Sequence, residues 1–481
     1  MKVAKATTTT VPTPTSTTTT PPRAAAPAAL VSVVNRLSDA LGDYALSNER
    51  SGALYDQTYR VQMLDLGLPK AAQHLRLVMG WARTVVDVLA ERMEPVTWSH
   101  ADVDAEELAA LWDSSGAGAA IPQAITDMMV YGIGFLSATA GNPALGEPRV
   151  LLRAHSATST TATLDDRTGR VTEAITMHTD DRATVWLPDA IVEVAREHGH
   201  WVVVEAVPNR LGAVPMVAMP NAARAGKPGG RSEITPAIRS ALMSATRALV
   251  AMDVNREFFA IPHRYLIGVA GDFVDADGQL LETWRLAARA MLKLPYDEQG
   301  SDIQVGEFSQ VKAGPFLEQI DGLAKITAAE AGLPAIYLGV EGNNPSSADA
   351  IRMSESRLVR RTRARIAALA QPLGALAQLA LAIAGGTALA DTPRPRTVFA
   401  DPATAAFSAD ADAWTKLMGA GAVPKRSATV WRRMGFTEPE IVEMQRDADR
   451  DAPLDRVAAL DAALSAPGVD AYDPDDDEVV G

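Results

Sequence analysis

The stretch GPFLEQIDGLAKITAAEAGLPAIYLGVEGNNPSSADAIRMSESRLVRRTRARIAALAQPLGALAQLALAIAGG, from Gly314 to Gly386, decides how this chain is read. Two helical patterns flank a short polar loop, GVEGNNPSSAD. The first helix carries Phe316, Ile320, Leu323 and Ile326 or Thr327 at the three-and-four spacing of an amphipathic face. Gly332 and Pro334 stop it, the glycine as a C-terminal cap and the proline because it cannot extend the hydrogen-bond ladder. Asn343, Asn344 and Pro345 form a turn. Ser346, with Asp349 three residues on, then opens a long helix in the manner of a capping box. Its apolar stripe runs through Ile351, Leu358, Thr362, Ile366, Leu369, Leu373, Leu376, Leu379 and Ile383. Pro372 is predicted to kink or break it near the middle.

The first half of that helix is crowded with cations. Arg352, Arg357, Arg360, Arg361, Arg363 and Arg365 face Glu355 alone, in a chain whose formal net charge is -14. Guanidinium groups at this density call for carboxylate or phosphate partners. Ion pairs within the chain, carboxylates of a neighbouring subunit and phosphate would each satisfy the pattern.

Working outward, the length of 481 residues exceeds one ordinary domain and predicts two to four on the order-of-magnitude rule. Aromatic residues make up only 5%, so the cores must be built from Ala, Val and Leu. Cysteine is absent, which excludes disulfides, thiolate metal sites and cysteine nucleophiles. The acidic balance argues against a general nucleic-acid coat, though not against a protein through which DNA passes. Ile366 to Ala390 is long and uncharged, but Gln371, Pro372 and Gln378 interrupt it, so it reads as a buried or interface helix and not as a membrane span. The N-terminus, MKVAKATTTTVPTPTSTTTTPP, has no continuous apolar core and is not a secretory signal.

In chain order, residues 1 to about 28 are Thr/Pro/Ala-rich and predicted disordered. Helices are predicted over 29–47, about 71–92, 105–112 and 119–131, then a strand over 135–140. From Arg149 to Val207, short Val/Thr/Ile runs alternate with turn signals, an antiparallel meander that begins with RVLLRA. Residues 209–233 read as a Pro/Gly-rich connection. Thr235 as N-cap and Pro236 at the first helical position start a long helix that Pro262 ends. Residues 263–313 read as a compact insertion: a strand RYLIGV, a helix from Trp284 to Leu294, and a strand near Ile303 to Phe308. RPRTVFADPATAAF looks extended. Helices follow at 410–418, 425–434, 438–449, with Thr437 as the last one's N-cap, and 454–464, before an acidic tail.

No catalytic site emerges. His198 and His200 flank a hairpin glycine, and with Glu193 or Glu197 they could hold a metal, but a solvated turn is the preferred reading. His178, Asp180 and Asp181 sit at another hairpin end, where Asp is a turn former. AGKPGGRSEIT superficially resembles a phosphate-binding loop, but Pro228 stands where Ser or Thr must directly follow the lysine. No cofactor, metal or nucleotide is called for.

LPAIYLG (Leu333–Gly339), a polar loop, NPSSADAIR (Asn344–Arg352) and SRLVRR (Ser356–Arg361) resemble the portal proteins of tailed double-stranded DNA bacteriophages, of the siphophage type. YDQTYRVQMLDLGL (Tyr55–Leu68), LRLVMGWARTVVDVLAER (Leu75–Arg92), DMMVYGIGF (Asp127–Phe135), GRSEI (Gly230–Ile234) and NREFFAIP (Asn255–Pro262) agree in order and position. The collinear order over roughly residues 50–450 carries the resemblance, since none of these motifs is catalytic.

That resemblance implies an α+β portal-type fold and a structural role, not an enzyme. Its parts would be an α/β wing over 29–234, with the meander at about 149–207, a first stem helix over 235–261, a small mixed clip over 262–313 and a second stem helix over 314–333. A tunnel loop would lie in 334–350, a long kinked wing helix and return segment in 351–405, a helical crown in 406–466 and an acidic tail in 467–481. Val340, Glu341, Gly342, Asn343, Asn344, Pro345, Ser346 and Ser347 would form the tunnel loop. Arg352, Arg357, Arg360, Arg361, Arg363 and Arg365 would face a neighbouring subunit or DNA. The family implies a ring of about twelve copies, with closed rotational symmetry. It also implies double-stranded DNA in transit, the large terminase subunit, a head–tail adaptor, and major capsid and scaffold proteins as partners, with no membrane. The location implied is the capsid portal vertex of the virion, reached from the host cytoplasm during assembly. Another phage head-morphogenesis protein, or a nucleic-acid-processing enzyme using the arginine helix, are the alternatives.

Overall fold

The computed structural model describes residues 25–60, 77–259, 264–267, 291–294, 304–307, 312–340 and 348–403, with parts of 414–450. It divides into two compact units, Met1–Pro402 and Ala403–Gly481. In the first, α1 (Ala28–Tyr55) continues two turns beyond its predicted end. Next come α2 (Trp81–Glu91), β1 (Pro95–Ser99), α3 (Ala105–Ser115) and α4 (Ala117–Tyr131). Asp104 caps α3 by accepting a hydrogen bond from the Glu106 amide. Then β2 (Ile133–Ala140) and β3 (Val150–His155) lead to the five strands β4 (Thr160–Leu164), β5 (Val171–Thr179), β6 (Arg182–Trp186), β7 (Ala190–Glu197) and β8 (His200–Pro208).

Those five strands form an antiparallel meander in chain order. The segment RVLLRA is not part of it. As β3 it pairs with β2, whose other edge is taken by β9 (Met216–Pro220), giving the order β3-β2-β9. MVAMP lies in the stretch predicted to be a plain connection, and its strand is fixed by this central partner rather than by alternation. α1 covers one face of the meander, where Val34 and Leu37 meet Ile175 and Val185. The other face joins the three-stranded sheet through Trp186, Phe135 and Met216.

Thr235 and Pro236 begin α5 (Pro236–Phe259) as their chemistry dictates, with the Ile238 amide donating to Thr235 Oγ1 at 3.3 Å. β10 (Arg264–Ile267), β11 (Met291–Leu294) and β12 (Gln304–Glu307) follow as one small sheet in the order β11-β10-β12. The helix expected up to Leu294 is therefore a strand over its last four residues, paired in parallel with β10 and followed by Pro295. α6 (Gly314–Ala331) returns against α5, and α7 (Ala348–Gly385) is the long arginine-rich helix. β13 (Arg396–Phe399) pairs antiparallel with β1, so PVTWS is a strand that its own sequence did not announce.

Two expectations about these helices change. α7 runs unbroken past Pro372, which removes one donor from the ladder without ending the helix. α6 buries Ala324, Thr327, Ala328 and Ala331, while Ile326 is 59% exposed, so its inward face is one of small residues. α7 matches its predicted stripe at Leu358, Thr362, Leu369, Leu373, Leu376 and Leu379, all buried. Met353–Gly385 is apolar and long enough to cross a membrane by composition. Its buried leucines instead share the main core with Val85, Leu89, Ile121 and Met128 of α2 and α4.

In the second unit, helical residues occupy 414–419, 430–431, 440–447 and 450, within one residue of the three predicted helices there, and Val430 and Ile441 are buried. Thr437, the helix predicted at 454–464, the acidic tail and residues 1–24 lie outside the described residues.

Candidate functional site

Chain direction places the first turn of α5 beside the last turn of α6, and two of the arginines of α7 converge there on one carboxylate. Glu233 stands two residues before the Thr235 N-cap, with its side chain only 3% exposed. Arg361 Nη2 donates to Glu233 Oε2, while Arg365 donates from Nε at 3.1 Å and Nη2 at 2.9 Å to Glu233 Oε1. Asn221 Nδ2 adds a further bond to Oε1 at 3.0 Å. Burial alone would raise the Glu233 pKa; the two guanidinium groups and Asn221 outweigh it and hold the carboxyl below its ordinary value.

Arg361, now with Arg357, also finishes α6. Its last carbonyls have no partner within the helix. Arg357 Nη1 donates to the Ala329 carbonyl at 3.0 Å, and Arg361 Nη1 donates to that of Ala331. Cations thus sit at the negative end of one helix and a carboxylate at the positive end of the other, so each charge also meets a favourable macrodipole. Gly332 makes this approach possible. It adopts φ +69°, and a Cβ there would stand 3.2 Å from Arg357 Nε.

The Glu233 loop is itself pinned to α4. The Glu233 amide donates to the Met129 carbonyl at 2.9 Å, and Ser232 Oγ to that of Val130 at 2.7 Å. Gly230, at φ +78°, packs its α-carbon against the backbone of Gly132 and Asn221, where a side chain has no room. GRSEI is therefore a joint, and not a phosphate loop.

A second polar node holds the start of α7. Arg92 Nη2 donates to Glu355 Oε1 at 2.8 Å and to Tyr337 Oη at 3.0 Å, and Tyr337 Oη donates to the same carboxylate oxygen at 2.6 Å. Burial, then the bond to Glu355, raises the Tyr337 pKa. Tyr337 belongs to the short turn Ala335–Leu338, and Leu338 and Val340 just after it are buried. The N-terminal root of the polar loop is thus anchored in the core, and Glu355 ties α7 to the same turn.

The predicted site residues divide accordingly. Glu341, Gly342, Asn343, Asn344, Pro345, Ser346 and Ser347 lie outside the described residues, while Val340 is 4% exposed and forms the root of the loop. Arg352 is a residue of α7 whose side chain lies outside the described set. Arg357, Arg361 and Arg365 find their partners within the chain, and Arg363 reaches Asp401 at 3.0 Å. Arg360 is exposed and has no partner among the described residues. Glu233 escaped the sequence reading, although its place before a Thr-Pro helix start and two arginines one turn apart were the available signals. His198, at φ 52°, and Gly199, at φ 85°, make the hairpin turn, and no metal-ligating cluster occurs among the described residues.

Long helices locked at their roots, a small sheet between two of them in the chain and a polar loop rooted in the core describe a structural subunit. The chain belongs to the family of phage portal proteins of the SPP1 Gp6-like type, whose model matches residues 67–453. It is 30% identical over 437 residues to the portal protein of Mycobacterium phage L5, covering 88% of each chain. To the portal protein of Mycobacterium phage D29 it is 32% identical over 415 residues, covering 83% of this chain and 84% of the other. A chain from the virion of a native gene transfer agent (GTA) particle, 16% identical, covers 81% of this chain and 99% of its own at a TM-score of 0.42. As a phage portal protein, the chain is a structural component of the virion.

Proposed function

We propose that this chain forms the ring, of about twelve copies, that lines the channel through which genomic DNA enters and leaves one capsid vertex. The observation that carries the reading is the joint at Glu233. Helices that bear force along a channel need rigid roots, and α7 binds the start of α5 and the end of α6 with charge-assisted hydrogen bonds. In this reading residues 29–234 are the wing, 235–261 and 314–333 the stem helices, and 262–313 the clip that docks the large terminase subunit and a head–tail adaptor. The long helix and return segment, 351–405, brace the wing, and 406–466 form a crown inside the head, facing capsid and scaffold proteins during assembly in the host cytoplasm.

Within the tunnel-loop segment 334–350, the part that then projects into the channel is Glu341 to Ser347, with Val340 as its root and the first turn of α7 beyond it. Before the start of α7, Glu341 is its sole charge, so the loop offers DNA phosphates no cation to stall on. Replacing Glu341–Asn344 with a Gly/Ser segment tests this. Rings of normal mass that package little DNA in an infection complementation assay are expected. Packaging at the wild-type level, or loss of folding, would contradict the assignment.

A further inference from the structure

A cavity of about 420 Å³ lies between the β4–β5 hairpin, β9 and the middle of α7. Its walls are largely hydrocarbon, from Val171, Met216, Ala218, Pro372 and Leu379. Two arginines, Arg170 and Arg394, also line it. Arg394 lies across α7 at Gly374, where a Cβ would come within 3.2 Å of its Nε, and donates from Nη2 to the Gln371 carbonyl. Among the described residues neither arginine forms an ion pair with a carboxylate. Asp165, on the same wall, is already committed to the Thr168 amide at 2.7 Å and hydroxyl at 2.6 Å, and Asp166 is exposed.

Burial, reinforced by the charge of Arg170, pulls the Arg394 pKa below its ordinary value. A half-buried guanidinium that meets a second cation and a carbonyl, but no anion, is electrostatically incomplete. The volume falls within the roughly 300–1,000 Å³ of small-molecule sites, which pair apolar walls with a few convergent polar groups.

We propose that this cavity binds a small amphipathic carboxylate, its head group bridging Arg394 and Arg170 and its hydrocarbon body filling the space against Val171, Met216 and Leu379. Carboxylate suits the fork of an arginine. The hydrocarbon walls favour an alkyl or aryl acid over inorganic phosphate. A bound acid would bridge the meander to α7 and so stiffen the seam between them. The same chemistry can be supplied by a free acid or by an acidic side chain of a neighbouring copy.

Calorimetry of the full chain with hexanoate, hexanol and hexylamine tests the proposal. Hexanoate is expected to bind at least about tenfold more tightly than hexanol, and hexylamine not at all. Arg394→Met should erase the preference for acid over alcohol and leave the alcohol binding, while Arg394→Lys retains part of it. Arg170→Gln, at an exposed position, should reduce it without touching the fold. Hexanoate bound by both monomer and assembled ring assigns the pocket to a free acid, and hexanoate bound by the monomer alone assigns it to a neighbour's side chain. Equal affinity for acid and alcohol, no binding by either, or a preference unchanged in both Arg394→Met and Arg170→Gln would overturn the proposal.

Discussion

From Met353 to Arg365, α7 is a charged strut, and from Ile366 to Gly385 it is an uncharged rod of Ala and Leu with one face buried. Both halves hold the same unit together by different means. The apolar half gains from area removed from water, a non-directional term that any well-packed neighbour can satisfy. In the charged half the gain depends on direction, since Glu233 must stand where two guanidinium forks meet. An apolar stripe announces burial from sequence alone, whereas a run of arginines announces only that partners exist.

The sharpest way to break the comparison is to remove the shared carboxylate. Glu233→Ala leaves Arg361 and Arg365, whose side chains are 19% and 15% exposed, without their anion. Loss of about 4 kcal/mol is expected in urea unfolding, the scale for breaking a buried pair from one side. An unchanged midpoint would reduce the charged half to ornament. Leu373→Ala, at a fully buried position of the other half, should cost about 3 kcal/mol through the cavity it leaves. If it costs more than Glu233→Ala, the apolar half is the stronger fastener.

Acid titration separates the joint from the sheets. His155, half-buried against Trp186 and bonded to Ser137 Oγ at 2.7 Å, is lowered to about 4 by burial and then by Arg153 and His178. Its depressed pKa contributes stability above about pH 6.5 that is lost as pH falls toward 4, by up to ~3 kcal/mol. Glu233 is also depressed, so its contribution is present above its unfolded value near 4.5 and fades only below it. His155→Gln should flatten the upper limb of the stability–pH curve, and a Glu233 variant the lower one. The reverse assignment would refute these electrostatic roles. The smallest effect belongs to Arg363→Ala. Its pair with Asp401 is exposed on both sides, and no more than about 0.5 kcal/mol should be lost.

What could be read in advance follows the same division. The start of α5 was legible because Thr235 and Pro236 carry local capping chemistry, and the end of α6 because Gly332 supplies a left-handed cap. The buried stripe of α7 was legible from its period. The joint was not, because Glu233 lies 128 residues before Arg361 and 132 before Arg365, and no local pattern encodes that meeting. Nor were β1 and β9, whose short segments become strands through distant partners, β13 and β2. The close of the predicted 284–294 helix failed for the same reason, since β10 recruits Met291–Leu294 into a sheet. The break expected at Pro372 does not occur, because one missing donor does not outweigh packing along a helix this long.

Native mass spectrometry of the purified chain, with negative-stain imaging of the same sample, tests the central claim most directly. The predicted result is a closed ring with a central hole, at a mass on the order of 0.6 MDa for about twelve copies of the 50.9 kDa chain. A chain that stays monomeric at every concentration and in the presence of its capsid and scaffold partners, or that grows into open filaments, would contradict it.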